Sequence, residues 1–214
     1  MLYSEFQFEH TKEYYKIKEL YEIFKEKINT SSNIQIRHHD IVLDVFNGDV
    51  ADDIKWSWAG NQKTLDYFLV FFDSIKLNEK LKSIYSNKFT IRGASFITIN
   101  KKFVIDSKFH LDAGSQYDTN DSNILTILFP LYLDKQLGNL EYKSGREIKV
   151  YKYKTNNIIV WDSCKFIHRT QPYNSPNKTT RVLVSVNLTS NILWSKKTLE
   201  NCLLNQGAKF LDLK

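Results

Sequence analysis

The 214-residue chain is poor in residues that break or staple a fold: it has seven glycines, three prolines, two cysteines and one methionine. So few breakers, none clustered, leave no stretch able to act as a flexible or polyproline linker, and no serine run supplies one. One domain over residues 1–214 is therefore expected, long enough to bury a substantial core. Cys164 and Cys202 lack metal-ligand spacing and are too few for a disulfide framework, which argues against a zinc knuckle and leaves two free thiols. No window holds eighteen uncharged apolar residues, and residues 1–5 lack the basic and apolar regions of a signal peptide. The expectation is a soluble, cytoplasmic protein with no membrane contact. No internal repeat is visible.

Charge is present in excess of one sign, with 30 Lys+Arg against 24 Asp+Glu and a formal net charge of +6. The excess is concentrated between residues 76 and 108, where Lys76, Lys80, Lys82, Lys88, Arg92, Lys101, Lys102 and Lys108 face only Glu79 and Asp106. Such a stretch can attract nucleic acid or another anion. A solvated lysine-rich face is the commoner outcome and is the preferred reading.

Periodicity divides the chain. Tyr14, Ile17, Tyr21, Phe24 and Ile28 recur at three- and four-residue steps, which predicts an amphipathic helix over 11–29. A mixed segment follows, with Ile41-Val42-Leu43, then Asp49, Asp52 and Asp53, then Trp56 and Trp58; the tryptophans read as packing between a helical layer and a sheet rather than as a lid. Residues 62–85 read as helix with a break near Asn78. The first 87 residues are thus expected to be mainly helical. From Lys88 the character changes to short β-branched and aromatic runs at 89–99, 102–107, 124–133, 148–154, 158–162, 166–171 and 179–189. They predict a mainly β core over 88–190, and 196–212 predicts a helix or ordered tail within a C-terminal extension, 191–214. The fold class expected is α+β: a double-stranded β-helix, jelly-roll or cupin-like, with N-terminal helices packed on one sheet.

The residues able to carry chemistry are His110, Asp112, His168 and Arg181. Residues two apart in a strand point to one side, so His110 and Asp112 can reach one ion. His-x-Asp alone is a cheap motif, and His38-His39-Asp40 is a second match. Context separates them. After Asp112 come a polar loop, the run 124–133 ending Tyr132-Leu133-Asp134, then Gly138-Asn139-Leu140-Glu141-Tyr142, Ile158-Ile159-Val160-Trp161, His168-Arg169-Thr170-Gln171-Pro172 and Arg181-Val182-Leu183-Val184-Ser185.

That ordered series, over residues 89–190, resembles the 2-oxoglutarate- and Fe(II)-dependent oxygenases, in particular their prolyl-hydroxylase-like branch. The resemblance implies that His110, Asp112 and His168 form the catalytic metal site, two imidazoles and a carboxylate leaving three positions of an octahedral Fe(II) open. It implies Arg181 as the partner of the distal carboxylate of 2-oxoglutarate, because a guanidinium holds a carboxylate by two parallel hydrogen bonds. Tyr132 is a candidate hydroxyl partner to the same carboxylate, and Ser185, four residues from Arg181, a weaker one. The cosubstrates implied are 2-oxoglutarate and O2, with ascorbate keeping iron reduced. A carboxylate at Asp112 favours hydroxylation over halogenation.

The substrate implied is a small molecule, an amino acid or a peptidyl side chain such as proline. Alkylated-base demethylases share the metal residues but carry a second arginine six residues beyond the first, where this chain has Asn187, so nucleic acid is the weaker partner. A jelly-roll binding module without turnover would have lost a ligand or the arginine, and none is missing. Two departures stand out: the gap from His168 to Arg181 is long, and Asn139 replaces a second glycine of the turn, where asparagine tolerates left-handed backbone. Trp161 and Tyr142 read as core or wall residues, and His10, His38 and His39 as ordinary positions. The segments 40–62, 113–123 and 134–147 are the candidate pocket rim.

Overall fold

A helix with an apolar stripe on one side lies against a sheet, and the N-terminal half of this chain contains one such helix followed by a second. In the computed structural model, which describes residues 2–31, 33–47, 54–99, 103–104, 108–114, 122–133, 138–174 and 180–208, α1 runs Lys12–Thr30 and buries Tyr14, Ile17, Leu20, Tyr21, Phe24 and Ile28. Thr11 caps it by accepting a hydrogen bond from the Tyr14 amide at 3.2 Å. Its far end is capped by a cation: Lys55 Nζ donates to the carbonyls of Ile28, Asn29 and Ser31 at 3.0, 2.7 and 2.8 Å, where the helix dipole is negative. α2 is Gln62–Ser74 with Asn61 as its cap, accepting from the Thr64 amide at 2.9 Å. α3 is Leu77–Lys82. The break between them falls at Ile75-Lys76 rather than Asn78, because Lys76 takes a left-handed conformation with φ 55°.

The strands are β1 Tyr3–Gln7, β2 Ile34–His38, β3 Ile41–Asn47, β4 Ile54–Ala59, β5 Thr90–Ile99, β6 Phe103–Val104, β7 Ile124–Tyr132, β8 Leu140–Ser144, β9 Glu147–Tyr151, β10 Asn157–Asp162, β11 His168–Thr170, β12 Tyr173–Asn174 and β13 Arg181–Thr189; α4 is Leu193–Asn205. Eight of them form one sheet in the order β1-β10-β7-β13-β5-β4-β3-β2, all pairs antiparallel. A three-stranded sheet, β11-β8-β9, faces it, and β12 pairs with β6. These two facing sheets with helices on the outer face of the larger are the double-stranded β-helix expected.

The expectation that residues 1–87 are mainly helical is corrected, because four strands lie there beside the helices. β2, β3 and β4 extend the large sheet beyond β5, and β1 adds to its other edge. Their period-two signal is short, as in Ile34-Gln35-Ile36, and the hairpin that joins β2 to β3 turns on His39-Asp40, with His39 at φ 51°. Positive φ is what a two-residue hairpin turn requires. The second His-x-Asp match is therefore a turn, its Asp40 paired with Lys63 at 2.7 Å in solvent. Residues 140–142, expected within the turn Gly138-Asn139-Leu140-Glu141-Tyr142, belong to β8.

Both faces of the central strands are covered, which is why they read as unbroken apolar runs. Ile127 and Phe129 of β7, with Val182, Val184 and Val186 of β13, face the helices. Leu128, Ile159, Trp161 and Leu183 face Leu140, Tyr142, Tyr151 and Phe166 between the two sheets. α4 closes one end, packing Leu199 and Leu203 on Trp58, Ala113 and Ile124. No helix among the described residues is long and apolar enough to cross a membrane.

Candidate metal centre and anion pocket

His110 and His168 are directly opposite in an antiparallel bridge: the His110 amide donates to the His168 carbonyl at 2.9 Å and the His168 amide to the His110 carbonyl at 3.0 Å. Opposed residues of an antiparallel pair put their side chains on the same face, and the two imidazoles stand 4.6 Å apart between centroids. Asp112 follows two residues later and turns to the same point. Its Oδ1 lies 3.4 Å from His168 Nε2 and 3.8 Å from His110 Nε2. Donor atoms of the three residues lie within 4.8 Å of one another, and the two carboxylate–imidazole distances, 3.4 and 3.8 Å, approach the spacing of about 3 Å that adjacent ligands adopt when each is 2.0–2.2 Å from an ion.

The proton positions favour metal. Nδ1 of His110 is 3.0 Å from the Lys108 carbonyl and Nδ1 of His168 is 2.9 Å from the Phe166 carbonyl. A carbonyl only accepts, so each Nδ1 carries hydrogen, and in the neutral ring each Nε2 presents its lone pair. Asp112 is oriented as firmly: its Oδ2 accepts from Trp161 Nε1 at 2.9 Å. Burial opposes ionisation of Asp112, but the imidazoles of His168 and His110 beside it outweigh that and hold the carboxyl at about 2. Burial likewise opposes charge on His168, and Asp112 overrides it, so the imidazole titrates above its ordinary range.

The triad opens into a cavity of about 390 Å³ whose wall also includes Arg181 and Ser185. Arg181 is 1% exposed. Its Nη1 donates to the Gly138 carbonyl, its guanidinium carbon lies 5.2 Å from the centre of the Tyr153 ring, and its Nε has no hydrogen-bond partner. Among the described residues no carboxylate pairs with it. A buried cation without a counter-charge is costly, so this corner of the cavity suits an anion.

Gly138 has no room for a side chain, since a Cβ would strike the Gln171 carbonyl and the Tyr173 ring. That close approach is what lets its carbonyl reach Arg181. Asn139 is not left-handed as expected. It prolongs the β8–β11 ladder, its carbonyl accepting from the Gln171 amide at 2.8 Å and its Nδ2 donating to Gln171 Oε1 at 3.1 Å. Arg181 reaches the cavity despite its distance from His168 in the chain; residues 175–179 of the intervening loop lie outside the described residues.

Tyr132 does not join the pocket. It pairs with Val182 across a register shift in the β7–β13 ladder, shares that residue's face, and sits 5.8 Å from the Tyr21 ring with Lys18 Nζ 4.7 Å above it. Burial and the nearby Glu22 carboxylate push its phenol above the usual range. Tyr132 belongs to the helical side, and the expectation that it touches the cosubstrate is corrected. Tyr153, which sequence reasoning passed over, stands where Tyr132 was expected: it is buried on the cavity wall beside Arg181. Burial pushes its phenol above the usual range. Its only sequence signal was its place in the run 148–154, which gave no facing. Trp161 is a wall residue as expected, with the further task of holding Asp112. Trp56 and Trp58 both reach the cavity, and Trp58 also packs under α4, its Nε1 donating to the Gln206 carbonyl at 3.2 Å.

No family model and no curated protein matches the sequence. Solved structures do. A prolyl-4-hydroxylase from Pseudomonas putida superposes with a TM-score of 0.54 at 12% identity, over 89% of this chain and 93% of its own. The non-haem α-ketoglutarate-dependent epimerase SnoN from nogalamycin biosynthesis gives 0.63 at 8% identity, over 98% and 88%. HygX from Streptomyces hygroscopicus, solved with nickel, 2-oxoglutarate and hygromycin B bound, gives 0.57 at 8% identity, over 99% and 92%. The chain has their fold. At such identities the likeness speaks for the fold alone, and the chemistry rests on the residues in the cavity.

Proposed function

We propose that the protein is an Fe(II)- and 2-oxoglutarate-dependent oxygenase that hydroxylates a carbon centre of a small-molecule or peptidyl substrate. The observation that carries this reading is the meeting, in one cavity, of three oriented metal donors and a buried arginine that has no counter-charge among the described residues. Iron and 2-oxoglutarate, when bound, supply with O2 the oxidising power to insert oxygen into a C–H bond, with release of succinate and CO2.

The remaining work falls to the chain. His110, Asp112 and His168 hold the ion, their orientation set before it arrives by the Lys108 and Phe166 carbonyls and Trp161. Arg181 takes the distal carboxylate of 2-oxoglutarate, with Ser185 and Tyr153 within the same wall as hydroxyl partners. Leu128, Leu140 and Leu183 line the space between, keeping water from the carboxylate and strengthening its pairing with Arg181. The solved neighbours accord with both substrate classes: one is a Trichoplax adhaerens prolyl hydroxylase in complex with a peptide fragment, and HygX holds hygromycin B.

Succinate formation from 2-oxoglutarate with Fe(II) and ascorbate, and Mn(II) binding by calorimetry, test the proposal together. Turnover and metal binding that both vanish in His110→Ala support it. A protein that binds no Mn(II), or whose binding is indifferent to His110→Ala, refutes it.

A further inference from the structure

The cavity is built differently at its outer end. β4 sends Ile54, Trp56 and Trp58 to the wall, Phe46 adjoins them, and α4 packs Leu199 and Leu203 against Trp58. The charged wall residues are Lys108, His110, Asp112, His168 and Arg181. Four of these are engaged by the metal and cosubstrate of the proposed reaction, and Lys108 is exposed at the rim. Among the described residues the outer end therefore offers no buried charge to a phosphate, a carboxylate or an ammonium group.

Beside Cys202, Asn205 and Gln206, it offers, among the described residues, one buried polar atom without a partner. Asn187 is on the wall, 6% exposed, and its Oδ1 has no hydrogen-bond partner. Its Nδ2 donates to Thr126 Oγ1 at 3.3 Å, and Thr126 Oγ1 lies 2.8 Å from Ser163 Oγ. The carbonyl oxygen is thus the end of the amide left to accept from a ligand.

We infer that the substrate is an uncharged, flat, largely apolar small molecule with a hydroxyl or N–H donor near its reacting carbon, its flat body on Trp56 and Trp58 and its donor on Asn187 Oδ1. This inference rests on the proposed oxygenase reaction and narrows its substrate. A tryptophan pair supplies broad contact at little entropic cost, and a cavity of 390 Å³ that also holds the metal and 2-oxoglutarate leaves room beside them only for a small molecule, since small-molecule pockets span about 300–1,000 Å³. A buried acceptor left without a donor penalises any ligand that cannot supply one.

The test is calorimetric, on the full chain loaded with Mn(II) and 2-oxoglutarate, using 2-naphthol and its ether 2-methoxynaphthalene as probes. The expected result is binding of 2-naphthol about five- to tenfold tighter than the ether. Asn187→Leu should erase the difference, and Trp56→Ala should weaken both probes. Equal affinity for the two probes in the unaltered chain, or no binding of either while 2-oxoglutarate binds, overturns the inference and leaves the oxygenase reading standing. Failure of 2-oxoglutarate itself to bind defeats that reading, and the same titration on the protein alone then decides whether the outer wall takes a flat donor.

Discussion

Trp161 shows how much of the candidate site depends on one hydrogen. Its indole N–H is all that ties Asp112 Oδ2 to the sheet from that side, and removal of a hydrogen-bond partner to a ligating group typically costs about 10–100-fold in metal affinity. Trp161→Phe should lower Mn(II) affinity by about that factor, read by calorimetry, with a circular dichroism spectrum unchanged. Arg181→Lys should weaken 2-oxoglutarate at least tenfold, since an ammonium cannot form the two parallel bonds; Tyr132→Phe, on the helical side, should leave that affinity unaltered. The pH dependence of metal binding has a definite sign. The His168 imidazole titrates above its ordinary range, and an ion needs its lone pair free. Mn(II) affinity should therefore fall as pH drops through the imidazole range, and a site whose affinity rose on acidification would contradict the assignment.

Elements explain which expectations survived. The helix over 11–29 was legible because Tyr14, Ile17, Tyr21, Phe24 and Ile28 leave one face apolar and the other charged, and α1 is found at Lys12–Thr30. In β7 the run Ile124–Tyr132 is buried nearly throughout, so alternation carries no sign of which residues face the cavity. This is why Tyr132 was expected in the pocket, while Arg181, whose neighbours are also apolar and which lies on the cavity wall, was singled out by the order of motifs and not by facing. β2 and β4 were missed because each is short and the turn between β2 and β3 uses histidine and aspartate, not glycine. Two elements yield predictions. Lys55→Met removes the cation at the end of α1 and should cost about 1 kcal/mol, seen as a lower midpoint in urea with Mn(II) affinity unchanged. Gly138→Ala places a methyl group against backbone at Gln171, which cannot yield as a flexible side chain does. It should destabilise the protein by about 1–3 kcal/mol and shift Arg181 enough to raise the Kd for 2-oxoglutarate.

At the scale of the whole molecule, the helices brace the large sheet from outside while the reactive groups lie between the two sheets, so the braced sheet supplies rigid strands on which the pocket is hung. The His110–His168 bridge joins segments far apart in the chain, and among the described residues it is held by only two backbone hydrogen bonds. An ion bound by both imidazoles and Asp112 would act there as a rivet, closing a long loop of chain as a disulfide does in a protein that has none. Under the proposed reaction, metal supply would then govern how long the molecule survives as well as how fast it turns over, the metal-free chain being the looser and more easily degraded form.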